Sequence, residues 1–263
     1  MPLPAPDSRT PDPKTPDSRT PGPKTPDPKT PDPKTPDPGA PGADTRRRLI
    51  EAGRRLFAAD GFRGVSARRL TAAAEVNLAA VGYHFGGMRE LYLAVVEDVV
   101  LATDVHIGPL VARLSATLEG APGRAALGAA ATDLVATLIG MLLNDESRMR
   151  DRAALVLREL AQPTEAFDTL YRHRFAPLHG AVTRLVAAAT GRDPADPACI
   201  IRAHAVLANM MMFGLARRVL LRRLERDAYG PDLTATIVRE VTESVLASLD
   251  LPRPAPGVPP HAP

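Results

Sequence analysis

The stretch Ser66-Ala67-Arg68-Arg69-Leu70-Thr71-Ala72-Ala73-Ala74-Glu75-Val76-Asn77-Leu78-Ala79-Ala80-Val81-Gly82-Tyr83-His84-Phe85 decides the fold. Ser66 is a helix-capping residue type, and Leu70 and Ala74 then recur at helical spacing. Glu75-Val76 reads as a turn, and Asn77 caps a second short helix from Leu78 to Phe85. Leu70, Ala74, Val76, Val81 and Phe85 converge on a small shared core. Leu78, Ala79, Ala80, Gly82, Tyr83 and His84 are left to face outward. Two short helices across a tight turn make a helix-turn-helix. The second is about two turns long, the size that lies in a DNA major groove.

The helical pattern extends in both directions. Upstream, Asp44 or Thr45 caps a helix with Leu49, Ala52, Gly53, Leu56 and Phe57 on one face, closed by Asp60-Gly61. Downstream, Gly86-Gly87 breaks the chain before a helix from Met88 to about Thr103. Further helical stretches cover about 105–118, 124–143, 146–161, 165–190, 197–226 and 232–249. Gly, Pro and Asn-Asp clusters separate most of them. No segment alternates with a period of two. The expectation is an all-α fold of about nine or ten helices. A helix-turn-helix domain over 44–90, with its motif at 66–85, precedes a larger helical domain over 91–250.

Residues 1–43 are different in kind. They repeat a five-residue unit, as in Thr10-Pro11-Asp12-Pro13-Lys14 and Thr25-Pro26-Asp27-Pro28-Lys29. Proline at this density forbids helix, and there is little apolar surface to bury, so a disordered tail with polyproline II character is expected. Its acidic and basic side chains cancel, which makes it a weak DNA-binding arm and favours a solvated extension. Residues 251–263 read as a second disordered tail.

The bulk composition narrows the class. Hydrophobic residues make up 44% of the chain, enough for a sizeable core, and net charge is only +3. All four lysines, Lys14, Lys24, Lys29 and Lys34, lie in the tail, so any folded-domain cation available to a phosphate is Arg. A lone Cys199 excludes an internal disulfide and a cysteine-based zinc site, and reads as a buried small hydrophobe. No signal peptide pattern is present. The uncharged run Ala203–Ala216 is shorter than a membrane span and contains His204 and Asn209. A cytoplasmic protein with no membrane partner is expected. The chain has no Gly-rich phosphate loop, no nucleophile elbow and no His-Glu-x-x-His, so no enzyme, cofactor or metal is expected.

The segment Thr45–Val99 resembles the TetR family of bacterial regulators. The resemblance rests on the Gly61-Phe62 turn, Ser66, Leu70, Ala74-Glu75-Val76-Asn77 and above all Tyr83-His84-Phe85 followed by Glu90-Leu91. It implies that Tyr83 and His84 touch phosphates, that Ser66 and Arg68 anchor the first motif helix, and that Asn77, Leu78, Ala79 and Gly82 face the bases. Most of the last group cannot hydrogen-bond a base edge. Specificity is therefore expected to lean on thymine-methyl contacts, Arg68 and DNA shape. Arg46, Arg47 and Arg48 read as a solvated helix start or a phosphate contact. Glu75 stands where the family usually has Gly, and Met88 where it tends to have Lys. Arg89 is the nearest replacement cation.

Leu157-Arg158-Glu159-Leu160-Ala161-Gln162-Pro163-Thr164, with Leu170-Tyr171, Pro177-Leu178 and Leu215-Ala216-Arg217, resembles the CecR-like subgroup of that family. The resemblance implies a homodimer, here assigned to helices 165–190 and 197–226, and a pocket for an unknown small-molecule effector. Met141, Phe175, Met210, Met211 and Phe213 are pocket candidates, as are Met149 and Met212, with ordinary core as the plainer reading of any single Met. Arg158 and Glu159 either orient a polar ligand or form a salt bridge. The implied function is a repressor that a ligand releases from a near-palindromic double-stranded DNA operator. The alternatives are an activator and a ligand-independent architectural DNA-binding protein.

Overall fold

The computed structural model describes residues 41–144 and 146–254. The repeat over 1–40 and the chain end from 255, with the arm and tail expectations attached to them, lie outside the described residues.

Among the described residues all regular structure is helical, as expected. Helix α1 (Pro41–Asp60) begins ahead of the Asp44 expected to cap it. Proline in a first helical turn forfeits no hydrogen bond, so the helix can start there. Asp44 sits inside that turn and pairs with Arg47. A 3₁₀ turn (Phe62–Gly64) leads to α2 (Ala67–Ala74) and α3 (Ala79–Phe85). Gly61, with φ of 73° and ψ of 171°, takes a positive-φ conformation open mainly to glycine, which follows α1 and lets the chain reverse.

Helix α4 (Met88–Glu119) runs unbroken where two helices were expected. Pro109 lies inside it and removes the hydrogen bond that Val105 would accept. Val105 is exposed, so water can replace that donor. Thr103, Ile107, Leu110 and Leu114 are all buried, and their packing carries the helix through the expected break near residue 104. Then follow α5 (Arg124–Leu143), α6 (Ser147–Ala161) and α7 (Phe167–Leu170). A π turn (Tyr171–Phe175) joins α7 to α8 (Ala176–Thr190). Pro177 explains the π turn. It cannot donate to His173, so the ladder slips by one, and Ala176 N–H donates to the Tyr171 carbonyl instead.

The expected helix 197–226 is broken. Helix α9 (Pro197–Leu215) ends at Ala216, and α10 (Arg217–Arg223) restarts beyond it. Near this break Gly214 allows close approach to α5, since a Cβ there would lie 2.6 Å from Leu142. Helix α11 (Pro231–Ser248) closes the fold. Counting α7, the π turn and α8 as one continuous rod gives ten helices among the described residues.

Two apolar clusters organise these helices. The first gathers Leu49, Phe57, Leu70, Val81, Leu91 and Val95, and continues into Leu155, Val156, Ala166 and Leu170 of α6 and α7. The core under the helix-turn-helix is thus shared with later helices. The second holds Leu114, Leu134, Ile139, Leu185, Ala203 and Val241 from α4, α5, α8, α9 and α11, with Cys199 buried in it as a small hydrophobe. Helices α5 and α9 are long and apolar enough by composition to cross a membrane. In this fold α5 packs against α4, α9 and α11, and α9 against α8.

Candidate functional site

The outward face of the motif is built by local chemistry. Ser66 Oγ accepts from the Arg69 amide at 3.3 Å and starts α2. Asn77 Oδ1 accepts from the Ala79 amide at 2.6 Å and starts α3. Leu70, Ala74 and Val81 are buried beneath, with Val76 and Phe85 partly buried against them. Ala80, expected to face outward, is also partly buried on this cluster, because it sits one position from Val81 on a helix that packs against both α1 and α4.

What remains outside is a smooth, weakly polar ridge. Tyr83 is 86% exposed, Leu78 is 55% exposed, and Ala79 is exposed beside them. At Gly82 an added Cβ would meet nothing within 4 Å. The Tyr83 ring stands edge-on to His84 with centroids 4.9 Å apart. Arg46 places its guanidinium 5.1 Å from the centre of the Phe85 ring, which pins it beside α3. Arg68 is exposed and forms no ion pair among the described residues. Arg89 is engaged differently. It is held by both carboxylate oxygens of Glu165, in the loop before α7, and this contact raises its pKa above the usual arginine value.

The turn residue Glu75 has φ of 53°, the left-handed conformation that its family resemblance assigns to Gly. Arg48 donates to its carbonyl at 3.2 Å and its carboxylate at 2.9 Å.

Behind this ridge, α1 is gripped by α6. Buried Arg54 donates to Asp151 Oδ2 at 2.6 Å and to the Arg148 carbonyl at 3.3 Å. Arg148 in turn pairs with Glu51 at 3.0 Å. Arg158 reaches the last turn of α1, donating to the Ala59 carbonyl at 2.8 Å and more weakly to Ala58 at 3.4 Å. Arg158 therefore does not line the pocket for which it was a candidate. Its helix turns it toward free carbonyls at the α1 C-terminus, where a cation is favourable. Glu159 is fully buried and accepts from the Tyr92 hydroxyl of α4 and from Thr164. Burial, reinforced by that carboxylate, raises the Tyr92 pKa far above the usual phenol value.

The opposite side of α6 faces a cavity of about 510 Å³. This is within the range of small-molecule sites. Of the sequence candidates, Met141, Phe175, Met210 and Met211 line it, together with Met149 and Met212. Phe213 does not. It sits one position round α9 from Met212 and packs on the second apolar cluster. The polar linings Thr103, Arg152, Arg174, His179 and His204 were missed. A signal for Arg174 existed, since it falls on the stripe Phe167, Leu170, Tyr171, Phe175 and Leu178, otherwise apolar. Arg174 donates to the Thr103 hydroxyl, and loss of surrounding water lowers its pKa to about 10. His179 and His204 lie with ring centroids 5.8 Å apart. Burial, and then the neighbouring His204, holds the His179 pKa below the usual value.

Comparison with known proteins agrees with both halves. Residues 49–95 match the model of the bacterial regulatory proteins of the tetR family. Residues 127–250 match that of the C-terminal domain of the HTH-type transcriptional dual regulator CecR. The CecR dual regulator of Shigella flexneri is 28% identical over 202 residues, covering 76% of this chain and 89% of its own. Among solved structures, a transcriptional regulator from Saccharomonospora viridis in complex with choline is similar with a TM-score of 0.52 at 16% identity, over 79% of this chain and 96% of its own. A HlyIIR mutant in which a stretch of residues is substituted by a linker is similar with a TM-score of 0.50 at 13% identity, over 77% of this chain and 99% of its own.

Proposed function

Because this chain belongs to the TetR family, carries a CecR-like C-terminal half and is a DNA-binding transcriptional regulator, we propose that it acts as a dimeric repressor whose operator affinity falls when a small molecule fills the cavity behind α6. The observation that carries this reading is the double role of α6. One side lines the cavity through Met149, Arg152, Val156 and Leu160. The other holds α1 through Asp151, Arg148 and Arg158. An occupant that displaces α6 moves the helix against which α2 and α3 are packed. Release then follows from differential affinity for two arrangements of the same contacts.

A second connection runs through the next loop. Glu159 ties Tyr92 and Thr164, and Glu165 ties Arg89 at the start of α4. Phe167 and Tyr171, which follow directly, line the cavity. In this reading Tyr83, His84, Ser66 and Arg46 meet phosphates, while Asn77, Leu78, Ala79 and Gly82 face the base edges. Arg68, like Arg46, adds a full charge on this ridge that forms no ion pair among the described residues. Arg89 reaches a phosphate only by leaving Glu165.

The dimer surface is read from α9. Ile201, Met212, Leu215 and Val219 are exposed and recur at helical spacing across α9 and α10. Exposed apolar side chains of this size favour pairing with a second copy. Met212 and Leu215 also line the cavity, so pairing covers part of its open side. The alternatives of activation and of ligand-independent binding predict different behaviour. A nuclease footprint on the DNA flanking its own gene, read with sedimentation of the free protein, tests the proposal. A protected near-palindrome and a dimer are expected; uniform weak protection by a monomer would overturn it.

A further inference from the structure

We propose that the cavity is built for an amphipathic carboxylate: one carboxylate group on an apolar chain or ring, held by Arg174 and Arg152. This deepens the ligand-released reading above and rests on it for its regulatory meaning. It does not rest on it for the binding itself.

The lining is apolar almost throughout, with leucines, methionines, Phe167 and Phe175 surrounding the space. Two arginines line it, Arg152 from α6 and Arg174 from the π turn, and no Asp or Glu does. Neither Arg forms an ion pair among the described residues. The only hydrogen-bond partner of the Arg174 guanidinium among these residues is the neutral Thr103 hydroxyl. The Arg152 Nε is buried with no hydrogen-bond partner among them. A withdrawn charge without a counter-charge is costly, and an arginine at a pKa of about 10 stays protonated at neutral pH. Buried Arg54, by contrast, is paired with Asp151 at 2.6 Å. Arg158, whose Nε is also buried without a hydrogen-bond partner, reaches backbone carbonyls of α1 instead; among the described residues the two arginines at the cavity reach neither an acid nor a carbonyl, so the missing anion belongs to the occupant.

The chemistry of that anion follows from the donors. Guanidinium forks match a planar carboxylate in a bidentate way. His179 and His204 at the same cavity add polar nitrogens without adding a carboxylate. The rest of the occupant must be apolar, since little else in the lining can satisfy a polar group. A cationic occupant would face two guanidinium groups and no acid. The π turn fits this assignment. Pro177 forces the ladder to slip over Tyr171–Phe175, and the slipped turn is the one that carries both Arg174 and Phe175 into the lining.

The test uses the full chain without DNA and three isosteric probes: decanoate, decan-1-ol and decylammonium, titrated by calorimetry below their aggregation concentrations. Decanoate is expected to bind about tenfold or more tighter than the alcohol, the worth of a charge-assisted hydrogen bond, with decylammonium the weakest. Arg174→Met and Arg152→Met are each expected to cut decanoate affinity about tenfold while leaving decan-1-ol within about threefold. Thermal melting of each variant verifies folding, and the two substitutions lie on different helices, so one misfolded variant leaves the other to decide. Equal affinity for acid and alcohol, tighter binding of the amine, no binding of decanoate, or decanoate binding unchanged in both variants would each overturn the proposal. A parallel footprint separates the two readings. Arginine-dependent decanoate binding with operator protection unchanged leaves the ligand class standing and sinks release. No decanoate binding by a protein that protects its operator sinks the ligand class alone.

Discussion

Arg48 of α1 holds Glu75 of the motif turn at two points, its carbonyl at 3.2 Å and its carboxylate at 2.9 Å. Glu75 is the residue whose φ of 53° puts a side chain where glycine is most at ease. The turn therefore trades the freedom of glycine for a tether to the first helix.

Glu75→Ala and Glu75→Gly separate the two effects. Both remove the carboxylate contact, but only Gly relieves a left-handed conformation that costs a residue with a Cβ about 1 kcal/mol or more. Glu75→Gly is expected to be the more stable of the two by about that amount in urea unfolding. Equal stability of the two variants would show that this turn carries no strain.

Arg68 is exposed on α2 without an internal ion pair among the described residues. Arg68→Ala is expected to weaken operator binding by about 1–3 kcal/mol and to weaken random-sequence binding much less. Filter binding on both DNAs measures this. An equal loss on both, with the salt slope reduced by about one, would make Arg68 a phosphate contact instead.

Tyr92 donates to the fully buried Glu159, which Thr164 also serves. Tyr92→Phe removes one donor from a carboxylate that water cannot reach. A loss of about 1–3 kcal/mol in unfolding free energy is expected. Because this pair joins α4 to the loop leading into the cavity lining, ligand-induced loss of operator protection is expected to weaken in the same variant. Unchanged stability would mean that Glu159 is satisfied by Thr164 alone.

His179 has a pKa held down by burial and by His204, while Thr183 contacts its ring at 3.3 Å. The folded state therefore disfavours its protonation relative to the unfolded chain, where the pKa is about 6.5. Stability present above that value is lost as pH falls through the lowered folded pKa. His179→Gln is expected to flatten the fall in melting temperature between about pH 7 and pH 5. An equally steep fall in the variant would assign the pH response to other groups.

The helix-turn-helix was legible because its information is local. Ser66 and Asn77 act within their own turns, Leu70, Ala74 and Val81 share one short helical period, and Tyr83 is exposed because nothing nearby can cover it. Helix type and most boundaries followed from the same periodicity. The failures came where packing carried a helix through an expected break, near residue 104 in α4, or where a regular pattern concealed a break, at Ala216.

The cavity was only half legible. Periodicity and the softness of methionine pointed to Met141, Met210 and Met211, but could not say which side of α6 faces the space and which faces α1. Arg158 was a candidate lining residue and Arg152, on the same helix, was not. Helical rotation, set by how α6 packs on α1 and α5, turned the first to the Ala58 and Ala59 carbonyls and the second into the cavity. The sequence by itself thus determined the motif and most of the helices, since these depend on contacts within a few residues. Only the tertiary structure decided which cations are paired and which face the cavity, because charge compensation is made between helices far apart in the chain.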